Sequence, residues 1–294
     1  MNGELMHHSK SLYEKGIIKN RKMLTQSQYP DYKFVCRINH IKTFHAAIKS
    51  ICFSDFGTFL ISEDGMRITV DQAKSIQATV YMVPSFFEEF YVQDLQSFGI
   101  KVNVLAECLS LYGLADCGVK LLYKGDGAPL MILLDPHDDE DLSTECAIKT
   151  MNVDEPMEYE LDVNSSTLNT LFIRGPDLSN IFHELDKAAE EFEFTISPRS
   201  PHFKITTLGV IQSESSVEVA KTSDMMLMFN CQSTTVARYK SQQIRMTNKS
   251  LQVATKVAIK TDSSGLLELH FMLQAENQED IYVQFFVTPL LDIE

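Results

Sequence analysis

Apolar and polar residues alternate with a period of two along most of the chain, which predicts strands. "YKFVCRI" near the start has this pattern, as do "GTFLIS" and "MRITV" about an "EDG" turn, "SIQATVYM", and "VKLLYKG" with "APLMILLD" about "DG". Two stretches in this part follow a helical spacing instead. In "NHIKTFHAAIKSIC", Ile41, Phe44, Ile48 and Ile51 fall on one face, with Asn39 as a cap and Lys42, His45 and Lys49 opposite. "VNVLAECLSLYG" is a second short helix closed by Gly113.

The order then repeats. "TLNTLFIRG" reads as a strand. "PDLSNIFHELDKAA" reads as a helix with Leu178, Ile181, Phe182 and Leu185 on its apolar face. "FEFTIS", "HFKITTLG" and "SSVEVAKT" read as strands, residues 231–246 as a helix, and "LQVATKVAIK", "GLLELHFMLQ" and "IYVQFFVT" as three closing strands. Ile68 lies 33 residues beyond Val35, and Ile205 lies 33 beyond Phe172. Matching element order in both halves implies a duplicated unit. The expected class is α+β, dominated by antiparallel strands with a few short helices. The expected division is a flexible basic leader over residues 1–31, a first domain over 32–134, an acidic connector over 135–160 and a second domain over 161–294.

Composition narrows the function. The chain has 294 residues and a formal net charge of -14, which argues against a protein that coats nucleic acid over its whole surface. One basic face remains compatible with that charge. No run is apolar and long enough for a signal peptide core or a membrane span, so an intracellular, soluble chain is expected. None of the six cysteines forms a C-x-x-C pair, and several sit in apolar runs, as structural thiols do in a reducing compartment.

Against the acidic background, "CQSTTVARYKSQQIRM" carries Arg238, Lys240 and Arg245 and no carboxylate. Read as a helix, it puts Arg238, Gln242, Arg245 and Lys249 at helical spacing, with Lys240 on another face. From the residues alone this is an ordinary solvated face. Tyr239 reads as packing rather than as a stacking platform. The acidic run Asp138, Asp139, Glu140 and Asp141 would suit metal-assisted nuclease chemistry only if rigid elements fixed the carboxylates. In a loose connector it reads as solvated. No catalytic triad order, phosphate-binding glycine loop or H-E-x-x-H is present, and His7-His8 reads as solvated tail. No catalytic residue, metal site or cofactor is expected.

The phrases "EDGMRITVDQAKSIQATVYM", "HFKITTLG", "NCQSTTVARYK" and "AIKTDSSGLLELHFML", in this order over about Tyr32 to Leu290, resemble the DNA sliding clamps of the PCNA type. More closely, they resemble the Rad-one-type subunit of the heterotrimeric DNA-damage checkpoint clamp, the nine-one-one complex. The resemblance implies a duplicated clamp fold, with antiparallel sheets outside and four short helices lining the inner face. It implies a nuclear ring of this chain with two related subunits. The ring would encircle double-stranded DNA without sequence preference, be opened by an ATP-dependent loader, and serve as a platform for checkpoint signalling and repair factors. On this reading Lys42, Lys49, Arg238 and Arg245 face DNA, while Pro289 and Leu290 either wall a groove for partner peptides or close the chain on its own sheet. "APLMILL" and "SSVEVA" are either ring-forming edges or internal strands. The two helices without a net basic face, "VNVLAECLSLYG" and "PDLSNIFHELDKAA", depart from an evenly basic lining. A homotrimeric replication-type clamp and a 3′-5′ exonuclease are the alternatives.

Overall fold

The computed structural model describes residues 30–39, 41–111, 117–136, 143–161, 168–185, 187–210, 213–274 and 280–291. The first half contains β1 (Phe34–Ile38), α1 (Ile41–Ser50), β2 (Phe56–Ser62), β3 (Gly65–Gln72), β4 (Ile76–Met82), β5 (Glu89–Val92), β6 (Gln96–Lys101), α2 (Val102–Leu109), β7 (Cys117–Tyr123), β8 (Leu130–Pro136) and β9 (Thr144–Ile148). The second half contains β10 (Asn169–Arg174), α3 (Gly175–Glu184), β11 (Glu191–Ile196), β12 (Phe203–Leu208), β13 (Glu214–Val219), β14 (Met226–Asn230), β15 (Thr235–Lys240), α4 (Ser241–Met246), α5 (Asn248–Val253), β16 (Lys256–Thr261), β17 (Leu267–Gln274) and β18 (Asp280–Val287).

The strand order repeats between halves. One sheet runs β5-β1-β7-β8-β9, and its counterpart β14-β10-β16-β17-β18 has the same order. The order β6-β2-β3-β4 likewise has its counterpart in the sheet β15-β11-β12-β13. Strand β18 pairs antiparallel with β4, from Tyr282 opposite Tyr81 to Val287 opposite Ile76. That pairing fuses two of these sheets into one of nine strands. The counterparts of β18 and β4 are β9 and β13, and both are sheet edges among the described residues.

The helices cover one side of the sheets, because each is apolar on one face only. Helix α1 buries Ile41, Phe44, Ala47 and Ile48, α2 buries Val102, Leu105 and Leu109, and α3 buries Leu178 and Phe182. Their contacts give the row α2, α1, α5, α3, with α4 beside α5. Gly175 opens α3 against the end of α5, where any Cβ would run into the Ala254 carbonyl.

Several expectations change. Residues 231–246 are not one helix. Thr235–Lys240 is strand β15, paired with β11, with Ala237 and Tyr239 buried and Val236, Arg238 and Lys240 exposed. That is a period of two, and helical geometry begins only at Ser241. Tyr239 is a core residue whose hydroxyl donates to the Gly265 carbonyl at 2.7 Å. Leu251–Val253, read as strand, completes α5. Strand β8, which contains most of "APLMILL", is internal, because Thr144–Ile148 of the expected connector adds β9 outside it. "SSVEVA" does lie on an edge, as β13. His45 is buried rather than on the open face of α1. Asn39 Oδ1 makes no hydrogen bond among the described residues, so it does not cap α1. The pair His7-His8, Gly113 and the acids Asp138 to Asp141 lie outside the described residues.

Candidate nucleic-acid interface

The helix row is basic in the middle and acidic or neutral at its ends. Lys42 and Lys49 are exposed on α1, and Lys249 is exposed on α5 beside it. Arg245 is half-buried on α4. Its Nε donates to Ser241 Oγ at 2.9 Å, and its guanidinium carbon lies 5.5 Å from the centre of the Phe192 ring. Lys240 is exposed at the end of β15, next to α4. At the ends of the row, α2 carries no Lys or Arg, and Asp177 of α3 pairs with Arg174 at 2.7 Å.

The local electrostatics follow this distribution. Burial raises the Cys52 thiol above its ordinary value, while Lys249 and Lys49 act in the opposite direction. Both ammonium groups therefore project their field onto the end of α1. The His45 imidazole is shifted down, first by burial and then by Lys49, against a hydrogen bond with the Ala106 backbone. His45 is thus a neutral packing residue between α1 and α2.

The structure brings Lys42, Lys49 and Arg245 onto the helix side and separates Arg238 from them. Arg238 points away from the buried face of β15, and its Nε lies 2.9 Å from Glu193 Oε2 on β11. The pair is cross-strand neighbours in register. Sequence reasoning missed this because it assigned a helical period to a strand. Lys249, which the sequence marked only as a continuation of the basic run, belongs to the cluster.

Pro289 and Leu290 follow β18 and pack along β15. The Leu290 amide donates to the Arg238 carbonyl at 2.7 Å, and both side chains are half-buried. The connector lies nearby. Met157 accepts at its carbonyl from Gln77 Nε2 at 2.8 Å, Tyr159 OH donates to the Lys74 carbonyl at 2.8 Å, and the Tyr159 ring stacks on Phe286 at 5.8 Å. Thr288 donates its amide to the Ser75 carbonyl at 3.1 Å. Connector and tail therefore converge on the β3–β4 turn, where Ala73 and Lys74 hold positive φ angles of 53° and 55°. Met157 and Leu291 remain exposed there.

A polar network, unmarked by any sequence motif, crosses the seam between the halves. Lys260 Nζ and Glu268 Oε1 are 2.8 Å apart and largely buried. Gln284 Nε2 donates to the same oxygen at 3.0 Å, and Tyr81 OH donates to Gln284 Oε1 at 2.9 Å. It joins β16, β17, β18 and β4. Among the described residues no group of three or more His, Cys, Asp or Glu is placed to hold a metal, and no helix is long and apolar enough to cross a membrane.

Residues 33–273 match the family model for the repair proteins Rad1/Rec1/Rad17. The chain belongs to the Rad1 family. It is 63% identical over 268 residues to the DNA repair protein Rad1 of Drosophila melanogaster, covering 91% of this chain and 98% of that protein. It is 30% identical over 270 residues to the human cell cycle checkpoint protein RAD1, covering 90% and 94%. The DNA damage checkpoint control protein rad1 of Schizosaccharomyces pombe is 25% identical over 279 residues, covering 85% and 84%. Family and architecture agree: this is a PCNA-like α+β clamp fold, in a family of DNA-damage checkpoint and repair proteins.

Proposed function

We propose that this Rad1-family chain is one subunit of a heterotrimeric ring that encircles duplex DNA in the nucleus and acts as a platform for checkpoint and repair factors. One observation carries the reading. Inside the chain the two halves are joined by β18 on β4, while their counterparts β9 and β13 are open edges among the described residues. A second molecule of like fold can repeat the internal joint by laying its β13 on this β9. Head-to-tail contacts of this kind close into a ring when the rotation allows. Main-chain hydrogen bonds supply the joint, as in strand addition generally.

The remaining parts follow from which side faces inward. The helix side carries Lys42, Lys49, Arg245 and Lys249, which would meet phosphates without reading sequence. Arg238, on the opposite face of its sheet, is left out of that contact. The acidic ends of the row leave much of the cationic lining to the two partner subunits. Enclosure supplies retention, so the chain needs no chemistry of its own, and an ATP-dependent loader would open the ring. The convergence of connector and tail around Met157, Tyr159, Pro289 and Leu290 would receive client peptides.

The test is solution mass by light scattering, alone and after co-expression with two clamp-like partners. The reading expects a single chain alone and a 1:1:1 complex with partners. A stable homotrimer would favour a replication-type clamp, and failure to join any partner would remove the proposal. Proline scanning of β13 adds strand-level resolution. Neighbouring amides point alternately to β12 and outward. Of Ser216→Pro and Val217→Pro, one should leave the chain folded yet block assembly.

A further inference from the structure

Between the C-terminal end of α1 and the α4–α5 corner lies a cleft of about 620 Å³. Its less exposed lining is mostly apolar, with Cys52, Phe53, Ala189 and Met246 beside the buried hydroxyl residues Ser50 and Ser241. Its rim is cationic, with Lys240, Arg245 and Lys249 against a single carboxylate, Glu190. The Ser241 amide donates to the Glu190 carbonyl at 2.8 Å, which ties the two strand ends behind the cleft together. Lys49 adds its field to that of Lys249 at Cys52.

A duplex presents its phosphates on a convex surface, with the bases stacked inside. Such a surface can touch the rim, but it would leave a mostly apolar recess of this size empty. A recess of a few hundred Å³ with an apolar floor and a few polar groups at its mouth is the ordinary form of a small-ligand site. A flat aromatic ring on the floor with anionic oxygens at the rim satisfies both parts. Phe53 is half-buried and supplies an aromatic surface, and the Met246 thioether adapts to flat rings. Gln242, exposed at the mouth, adds an amide able to donate to and accept from a base edge.

We propose that this cleft binds a nucleotide, with the unstacked base on Phe53 and Met246 and its phosphate between Lys240, Arg245 and Lys249. Two sources share this chemistry: a free nucleotide, and an unpaired stretch of DNA strand. The strand as source rests on the helix side being the DNA side; the pocket chemistry does not.

The experiment uses the full-length chain and follows alkylation of Cys52 by peptide-resolved mass spectrometry. The probes are a short oligothymidylate, a mononucleotide and a blunt duplex. Oligothymidylate is expected to slow Cys52 alkylation severalfold and to leave Cys231 unchanged. The double variant Lys240→Glu/Lys249→Glu, at two exposed positions, should abolish this protection and weaken oligonucleotide binding at least tenfold by fluorescence anisotropy. Equal protection by the mononucleotide assigns a free nucleotide; protection by the oligonucleotide alone assigns an unpaired strand. The proposal is overturned if neither protects, if the duplex protects as well as the oligonucleotide, or if the double variant binds undiminished. Ring assembly is scored separately by mass. An assembled ring without Cys52 protection removes only the cleft, and protection without a ring removes only the ring.

Discussion

Leu290 and Arg238 are joined by one hydrogen bond, amide to carbonyl at 2.7 Å, and the first half makes the same bond from Met151 to Gly99 at 3.0 Å. Gly99 and Arg238 hold equivalent positions on the equivalent edge strands β6 and β15. The tail after β18 therefore does for the second half what the connector after β9 does for the first. Leu290→Pro removes the donor. The expected cost is about 1 kcal/mol, felt locally. Hydrogen exchange should accelerate around residues 288–291, while the global melting temperature moves little.

Glu268 neutralises Lys260 where both are nearly out of solvent, and it also accepts from Gln284. Glu268→Ala leaves a buried ammonium without its partner. A loss of about 3–5 kcal/mol is expected from such a change. Chemical denaturation should show it, and replacing Lys260 by Met in the same chain should restore a large part.

His270 is held at about 4, well below its ordinary value, by burial first, against the opposing pull of Glu268. The unfolded chain takes up this proton near 6.5, while the folded chain resists it until about 4. Stability is therefore full above about 6.5 and falls as the pH drops toward 4. At pH 5 the loss from this group is about 2 kcal/mol. His45, also shifted down by burial, acts in the same direction. Urea midpoints at pH 7 and pH 5 should differ, and His270→Gln should narrow the gap.

Gly175 has no room for a side chain, because the Ala254 carbonyl occupies the place of a Cβ. Gly175→Ala should push α3 from α5 and cost about 1–3 kcal/mol, the usual range for overpacking. The lowered melting temperature should come with faster exchange in α3 and α5 rather than in β7 or β8.

Charge reversal at Lys42 and Lys49 should leave the fold intact, since both ammonium groups are exposed. If these lysines meet phosphates, Lys42→Glu/Lys49→Glu should weaken DNA binding by the assembled complex. It should also flatten the salt dependence by roughly 0.9 in log–log slope for each phosphate no longer neutralised. An unchanged slope would take α1 out of the DNA-facing surface.

Much of the fold was legible in the sequence, because period and turn chemistry act locally. The alternation in "MRITV" and "HFKITT" marked β3 and β12, and the apolar stripe of Leu178 and Phe182 marked α3. The misreading of Thr235–Lys240 has a physical cause. Arg238, Gln242 and Arg245 satisfy a helical spacing across a strand–helix boundary at Ser241, and only the register with β11 shows where the period changes. Strands β5, β6, β9 and β14 were not picked out, since their patterns are short or half-polar and their pairing supplies the missing stability.

The sequence alone determined the duplication, the α+β class and the presence of a basic segment in an acidic chain, because these depend on order and composition. Tertiary structure decided the rest. It set Arg238 against Glu193 and left Lys49, Arg245 and Lys249 together, since facing directions depend on which strands pair. It made β8 internal and put β9 at a sheet edge among the described residues, a matter of hydrogen bonds between residues far apart in the chain. It also buried Lys260 and Glu268 in a network that reaches Tyr81 across the seam through Gln284, where ordinary polar residues become costly to disturb because solvent has been removed from around them.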